Sequence, residues 1–106
     1  FGRSADAASA KAYVAAKGGQ TGWSRSMCHE LAPFGITVNM IAPGWILVER
    51  HAADPQADKD AYFASIPAGR WGTPEDVGWA AVYLASDEAS FVTGQTIAVN
   101  GGTTCW

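Results

Sequence analysis

Two short runs rich in β-branched and apolar residues constrain the fold of this chain more than any other feature. They occupy residues 36–42 and 95–100, and glycine or proline bounds each of them. Runs of this length and composition are typical of buried parallel strands. A helix start at Thr73-Pro74 lies between them, and a strand–helix–strand unit implies parallel pairing with a right-handed crossover. The sequence therefore predicts an α/β fold.

Helical signals flank the first run and precede the second. Residues 10–31 place apolar and small side chains on one side at spacings of three and four, and Pro33 with Gly35 ends this helix. Thr73 is the predicted cap of the next helix, Pro74 its first residue, and Asp76 the third residue of a capping box. This second helix is expected to end near residues 86–87.

A mixed segment, residues 45–72, separates the first strand from the second helix. It contains apolar and charged stretches, and residues 59–66 are predicted to form a short helix. A connection this long between regular elements is often a lid or a binding loop. The predicted order is helix, strand, lid, helix and strand. This order indicates an incomplete part of a Rossmann-like doubly wound sheet, in a single partial domain over residues 1–106.

Composition excludes several classes of function. The net charge is −3 and no basic run occurs, so nothing indicates a nucleic-acid partner. No apolar stretch reaches the roughly 18 residues that a membrane span requires, so no membrane partner is expected. The two cysteines, Cys28 and Cys105, are far apart and fit no metal-binding spacing. We expect free thiols, no metal site and a cytoplasmic protein.

Tyr13 and Lys17 form the clearest candidate for chemistry. They stand four residues apart on the first predicted helix, which places both side chains on one face. A nearby ammonium group favours the phenolate and is expected to lower the tyrosine pKa from its usual value of about 10. Such a pair can transfer protons at working pH. The spacing alone equally fits an ordinary surface tyrosine with a lysine one turn later.

A series of further motifs accompanies this pair. Together with the tyrosine and lysine, they resemble the C-terminal part of the short-chain dehydrogenase/reductase family, and are similar to bacterial 3-oxoacyl-carrier-protein reductases and to glucose or sugar dehydrogenases. The resemblance covers nearly the whole chain. The matching motifs lie at residues 13–17, 35–39, 41–44, 67–70, 72–77, 84–87, 92–95 and 99–102.

The resemblance implies roles for particular residues. Tyr13 corresponds to the family's general acid/base, which acts on a substrate hydroxyl or carbonyl. Lys17 corresponds to the lysine that lowers the tyrosine pKa and binds the nicotinamide ribose of NAD or NADP. Pro43, Gly44 and the backbone of Ile46 correspond to positions beside the nicotinamide. The lid is expected to cover a small-molecule substrate. Its candidate substrate-binding residues are Trp45, Glu49, Arg50, His51 and Trp71. The alternative for these side chains is a solvated lid surface, with the tryptophans simply packing.

The sequence also departs from the family pattern. Val48 stands where the family often has a threonine that helps to hold the cofactor. No glycine-rich turn lies between a strand and a helix N-terminus, as a dinucleotide phosphate requires. Ser4 and Ser9 are too close to Tyr13 to match the family's catalytic serine. The first residue is Phe1, so we expect a truncated chain that binds no cofactor and has little activity alone.

Besides the oxidoreductase, two other functions stay open at this stage. The second hypothesis is a non-enzymatic, self-associating module, because an incomplete sheet leaves an unpaired edge and an apolar face. It would form a homo-oligomer by strand pairing or by packing of helix residues 13–31. The third is weak ester hydrolysis with Tyr13 as base or nucleophile beside Lys17.

Overall fold

The chain alternates helices and strands in the predicted order. This computed structural model describes residues 7–105, and the side chains of residues 7–10 and 50 lie outside the described part. The elements are helix α1 (Ala7–Leu31), strand β1 (Met40–Pro43), helix α2 (Gln56–Ala64), helix α3 (Pro74–Leu84) and strand β2 (Thr96–Val99). The α/β prediction is confirmed.

The chain divides into two compact units. One contains the residues up to Met40 together with Val92–Gln95, and the other contains Ile41–Phe91 with the residues from Thr96 onward. The prediction of one partial domain over residues 1–106 stays a prediction, and residues 1–6 and 106 lie outside the described part.

Helix α1 ends where the sequence predicts. Pro33 lies at the start of a 3-10 turn, Ala32–Phe34, and Gly35 follows with a φ of +74°. The Gly35 N–H donates to the carbonyl oxygen of Ala32 at 3.0 Å. A left-handed residue after a helix is usually glycine, since a side chain there would be strained.

Only the C-terminal half of α1 is packed. Ser24 and Cys28 are buried, whereas residues 11–20 are exposed. A Cβ on Gly94 would lie 2.8 Å from Cys28 Sγ, and Gly94 has a φ of +71°, so both contact and backbone favour glycine. The three glycines inside α1 have nothing within 4 Å of their Cβ positions among the described residues. They therefore serve no close helix contact there.

The segment 36–39 is not part of β1, which makes the predicted strand 36–42 wrong at its start. Its neighbour is the turn Val92–Gln95, whose glycine has a positive φ and interrupts a strand ladder. Asn39 Nδ2 donates to the carbonyl oxygen of Val92 at 2.9 Å, and Asn39 Oδ1 accepts from the Gln95 N–H at 3.1 Å. Asn39 thus braces the segment against residues 92–95.

Strand β1 pairs with β2 in a two-stranded sheet. The Met40 N–H donates to Gln95 O at 2.8 Å, and the Gly44 N–H donates to Val99 O at 2.9 Å. Both strands advance in the same direction between these bonds, so the pairing is parallel, as expected. Strand β2 is one residue shorter at each end than the predicted 95–100.

Several helix boundaries differ from the sequence prediction, including the start of α1 at Ala7 rather than at residue 10. Helix α2 begins at Gln56 rather than at residue 59, because the Gln56 side chain donates to Asp60 Oδ1 at 2.9 Å and supports an earlier turn. It ends at Ala64, and Ile66 is buried beyond its end. Helix α3 ends at Leu84 rather than near 86–87, and a separate 3-10 turn follows it.

Few residues are buried in the described part of the chain. They are Ser24, Cys28, Ile66 and Ala89. Several large apolar side chains are instead exposed on helices α1 and α3: Val14, Trp23, Trp79, Val82 and Tyr83. Small cores of this kind are marginal in stability.

Two kinds of feature are absent from residues 7–105. No helix in this range has the length and apolar character needed to cross a bilayer. No group of three His, Cys, Asp or Glu side chains in it is arranged to hold a metal ion. Cys28 and Cys105 are free thiols, as predicted.

Candidate functional site

Tyr13 and Lys17 share one face of α1 in the first unit. The Lys17 Nζ lies 5.6 Å from the centroid of the Tyr13 ring, in a cation–π arrangement. The Tyr13 side chain is 52% exposed. The helix spacing therefore places an ammonium group beside an accessible phenol, and the predicted proximity of the two groups is confirmed.

The end of β1 in the second unit carries the predicted cofactor-side residues. Pro43 is exposed, and a Cβ on Gly44 would lie 2.8 Å from Tyr62 Oη and 3.0 Å from Asn100 Cβ. Gly44 is therefore required by close contact with protein atoms. Ile46 pairs with Gly72 in an isolated parallel bridge, which joins the two ends of the lid segment.

The lid contains an aromatic cluster, defined here as Trp45, His51, Tyr62, Phe63 and Trp71. Trp45 makes edge-on contacts with His51, Tyr62 and Trp71 at centroid distances of 5.6, 5.3 and 5.7 Å. Tyr62 stacks on Trp71 with an interplanar angle of 17°, and Phe63 lies 5.9 Å from Trp71. The two tryptophans pack within the lid, which supports the packing alternative for them.

Sequence reasoning missed Tyr62 and Phe63. The available signal was an aromatic pair in a short predicted helix that follows one tryptophan and precedes another. This signal was weak, because Trp45 and Tyr62 are 17 positions apart and come into contact only in the folded chain. There the Trp45 N–H donates a hydrogen bond to Tyr62 Oη.

The remaining predicted lid residues differ in their environments. His51 Nδ1 accepts a hydrogen bond from the Val48 N–H at 3.2 Å, which caps the 3-10 turn Glu49–His51. The Glu49 side chain is exposed and makes no hydrogen bond or ion pair within residues 7–105. The Arg50 side chain lies outside the described part of the structure.

An ion pair that the sequence did not predict joins the end of the lid to α3. Arg70 donates to both carboxylate oxygens of Asp76, at 2.8 and 3.1 Å. The Thr73 N–H donates to Asp76 Oδ2 at 2.8 Å, and the Asp76 N–H donates to Thr73 Oγ1 at 3.2 Å, so the predicted capping box is confirmed. The hydrogen bonds from Arg70 and from the Thr73 backbone hold the pKa of Asp76 well below its usual value.

The second unit contains a cavity of about 280 Å³ beside the end of β1. Trp45 and Tyr62 form part of its wall, and residues 98–102 form another part. The Trp45 Nε1 is buried and has no hydrogen-bond partner among the described residues. Arg70 also lines the cavity, but its charge is balanced by Asp76.

Tyr13 and Lys17 fit one end of a nicotinamide dinucleotide, and the start of α3 does not fit the other. The Lys17 ammonium and the Tyr13 phenol are donors of the kind that bind ribose hydroxyls. A pyrophosphate requires free N–H groups and glycines at a helix N-terminus. At the start of α3, the Thr73 N–H donates to the Asp76 carboxylate and the Asp76 N–H donates to the Thr73 hydroxyl, and the carboxylate adds negative charge. The start of α3 is therefore not arranged as a cradle for the phosphates.

Comparison with known proteins gives a consistent set of relatives. A family model described as Enoyl-(Acyl carrier protein) reductase matches residues 2–104. The chain is 47% identical over 90 residues to a 3-oxoacyl-(acyl-carrier-protein) reductase of Rickettsia conorii. It is 46% identical to the enzyme of that name from Salmonella typhimurium and 44% identical to that of Vibrio harveyi. Each match covers 85% of this chain and 37% of the relative's length.

Proposed function

The chain belongs to the short-chain dehydrogenase/reductase family, whose members are NAD(P)-dependent oxidoreductases, and on this premise we propose that it supplies the acid/base of such an enzyme. The proposed reaction interconverts a hydroxyl and a carbonyl on a small molecule. The names of the relatives suggest a 3-oxoacyl thioester as the first substrate to test.

The observation that carries this proposal is the Lys17 ammonium over the Tyr13 ring. In the reducing direction, Tyr13 Oη donates its proton to the substrate oxygen, and Lys17 stabilises the phenolate that is left. NAD(P)H, when bound, supplies the hydride that reduces the carbonyl carbon. In the oxidising direction, the Tyr13 phenolate accepts the proton from the substrate hydroxyl.

Other residues have proposed binding roles. We assign the nicotinamide ribose to Lys17, and the nicotinamide to Pro43, Gly44 and the backbone of Ile46. The proposed substrate lid comprises Trp45, Glu49, Arg50, His51 and Trp71. Because Tyr13 and Lys17 fit the ribose end of the cofactor and the start of α3 does not fit its phosphates, we propose that these 106 residues alone bind no NAD(P) and have little activity.

A hybrid reductase tests the proposal. This chain replaces the matched segment of the Salmonella typhimurium relative, whose remaining part would supply the rest of the enzyme. We expect the hybrid to oxidise NADH or NADPH in the presence of a 3-oxoacyl thioester. Replacing Tyr13 by Phe should lower kcat by about 100-fold or more, since the proton donor is lost.

A matched control uses Tyr83, a half-exposed tyrosine on α3. Tyr83→Phe removes the same hydroxyl from a position outside the proposed site and should leave kcat within about twofold. A folded hybrid that binds NAD(P)H and reduces its substrate equally well with Tyr13→Phe would contradict the proposed role of Tyr13.

Self-association is a second candidate function, and one observation favours it. Apolar side chains on α3 are exposed, including Trp79 at 70%, Val82 and Tyr83. Large exposed apolar surfaces often mark sites of protein association. Here the proposed partner is a second copy of the chain, and the Tyr13–Lys17 pair would have no catalytic role.

Ester hydrolysis is the weakest candidate. It requires Tyr13 to act as base or nucleophile with Lys17 beside it. Turnover of an activated ester that is unchanged by Tyr13→Phe would exclude it.

A further inference from the structure

The two backbone N–H groups that directly follow β1 donate hydrogen bonds to different parts of the fold. The Gly44 N–H donates to Val99 O at 2.9 Å, which is the last bond between β1 and β2. The next N–H, that of Trp45, donates to Tyr62 Oη at 2.9 Å. The chain therefore leaves the sheet at the peptide that joins these two residues, and a side chain of α2 holds it there.

The Tyr62 hydroxyl leaves no room for a side chain at this point. A Cβ on Gly44 would lie 2.8 Å from Tyr62 Oη, well inside van der Waals contact. One oxygen atom thus occupies the space that a side chain on residue 44 would need and accepts a hydrogen bond from the Trp45 N–H. The turn and the tyrosine fit each other closely enough that a change in either must move the other.

The Tyr62 ring is itself fixed by its neighbours. It stacks on Trp71 at 5.7 Å and contacts Trp45 edge-on at 5.3 Å. Trp45 and Trp71 also contact each other at 5.7 Å. Because three mutually touching rings restrict rotation, the hydroxyl is held at a defined position.

We propose that Tyr62 is a positioning residue, whose hydroxyl sets the path of the Gly44–Trp45 turn and joins the lid helix α2 to the end of β1. Its consequence for the cofactor rests on the proposed function, which assigns the nicotinamide to this turn. Movement of α2 then changes nucleotide binding through Tyr62, although Tyr62 itself touches neither nucleotide nor reacting atoms.

Hydrogen exchange in the 106-residue chain tests the positioning itself. In the unmodified chain, the Trp45 amide should exchange at least about tenfold more slowly than an exposed amide, because it is bonded and partly buried. Tyr62→Phe keeps the ring and removes the hydroxyl. The Trp45 amide should then exchange about tenfold faster, while the Gly44 amide, still bonded to Val99, changes by less than about threefold.

The comparison of the two amides separates a local effect from general unfolding. Tyr83→Phe is the matched control and should change neither amide, since its side chain is half exposed on α3. The proposal is overturned by a Trp45 amide that is unprotected in the unmodified chain. Equal acceleration of both amides, or no acceleration in Tyr62→Phe, also overturns it.

The hybrid reductase tests the consequence for the cofactor. Tyr62→Phe should raise the KM for NAD(P)H by about tenfold and change kcat by less than about threefold, because the proton donor is untouched. An unchanged KM in an active hybrid overturns this role of Tyr62. An inactive hybrid overturns the proposed function instead, and the hydrogen-exchange result then decides the positioning role by itself.

Discussion

Gly94 is a residue of the first unit whose replacement should lower the free energy of unfolding. Its φ is +71°, and a Cβ would lie 2.8 Å from Cys28 Sγ. Gly94→Ala should lower the free energy of unfolding by about 1–3 kcal/mol, from backbone strain and contact together. Urea denaturation measures this change.

The matched control is Gly18→Ala inside α1. Nothing lies within 4 Å of its Cβ position among the described residues. This change should raise stability by up to about 1 kcal/mol, since alanine is the better helix former. Equal effects of the two substitutions would contradict the assignment of Gly94 to a close contact.

Asn39 gives the second residue-scale prediction. Its amide makes one hydrogen bond in each direction with the turn Val92–Gln95. Asn39→Ala should destabilise the chain by about 1–3 kcal/mol, because it removes both hydrogen bonds and leaves the partly buried Val92 carbonyl without this partner. Gln95→Ala removes only a 3.3 Å hydrogen bond to Thr93 O. It should lower the free energy of unfolding much less than Asn39→Ala when both are measured by urea denaturation.

Single residues differed in how far the sequence could reveal them. Tyr13 and Lys17 were predictable together because helical spacing alone brings them to one face. Tyr62 was not, since its contact with Trp45 depends on how α2 packs against the end of β1.

At the scale of elements, the start of α3 should make stability depend on pH. The pKa of Asp76 is lowered in the folded chain by Arg70 and by the Thr73 backbone. A lowered pKa adds stability above the unfolded value of about 3.9, and this stability is lost as the pH falls below that value. The Tm should therefore drop between pH 5 and the most acidic conditions that leave the chain folded.

Asp76→Asn should reduce this fall in Tm at acid pH and lower the Tm at pH 7, since the charge that Arg70 pairs with is gone. Glu75→Gln, a change in the same helical turn without those bonds, should leave the fall in Tm unchanged. An identical fall in the unmodified chain and in Asp76→Asn would show that another group causes the loss.

Element boundaries show why local sequence signals are incomplete. The start of α3 was predicted correctly because its cap, its proline and its capping carboxylate are all local. The start of β1 was misplaced because the partner of residues 36–39 is a turn distant in sequence. The aromatic cluster of the lid was missed for the same reason, since its members meet only in the folded chain.

For the whole molecule, the exposed apolar side chains lead to a prediction of self-association. The Tm should rise with protein concentration, because association stabilises the folded state by mass action. Trp79→Lys on α3 should weaken that dependence, and Lys11→Ala, a change at an exposed charged position, should not. A well-folded monomer at micromolar concentration would contradict the prediction.

The central proposal is that Tyr13 is a proton donor, that residues 45–72 form a lid, and that these 106 residues alone do not hold the nucleotide phosphates. Calorimetric titration of the folded 106-residue chain with NADH and NADPH tests it most directly. The account predicts no stoichiometric complex at micromolar nucleotide concentrations. A one-to-one complex formed in that range would contradict it.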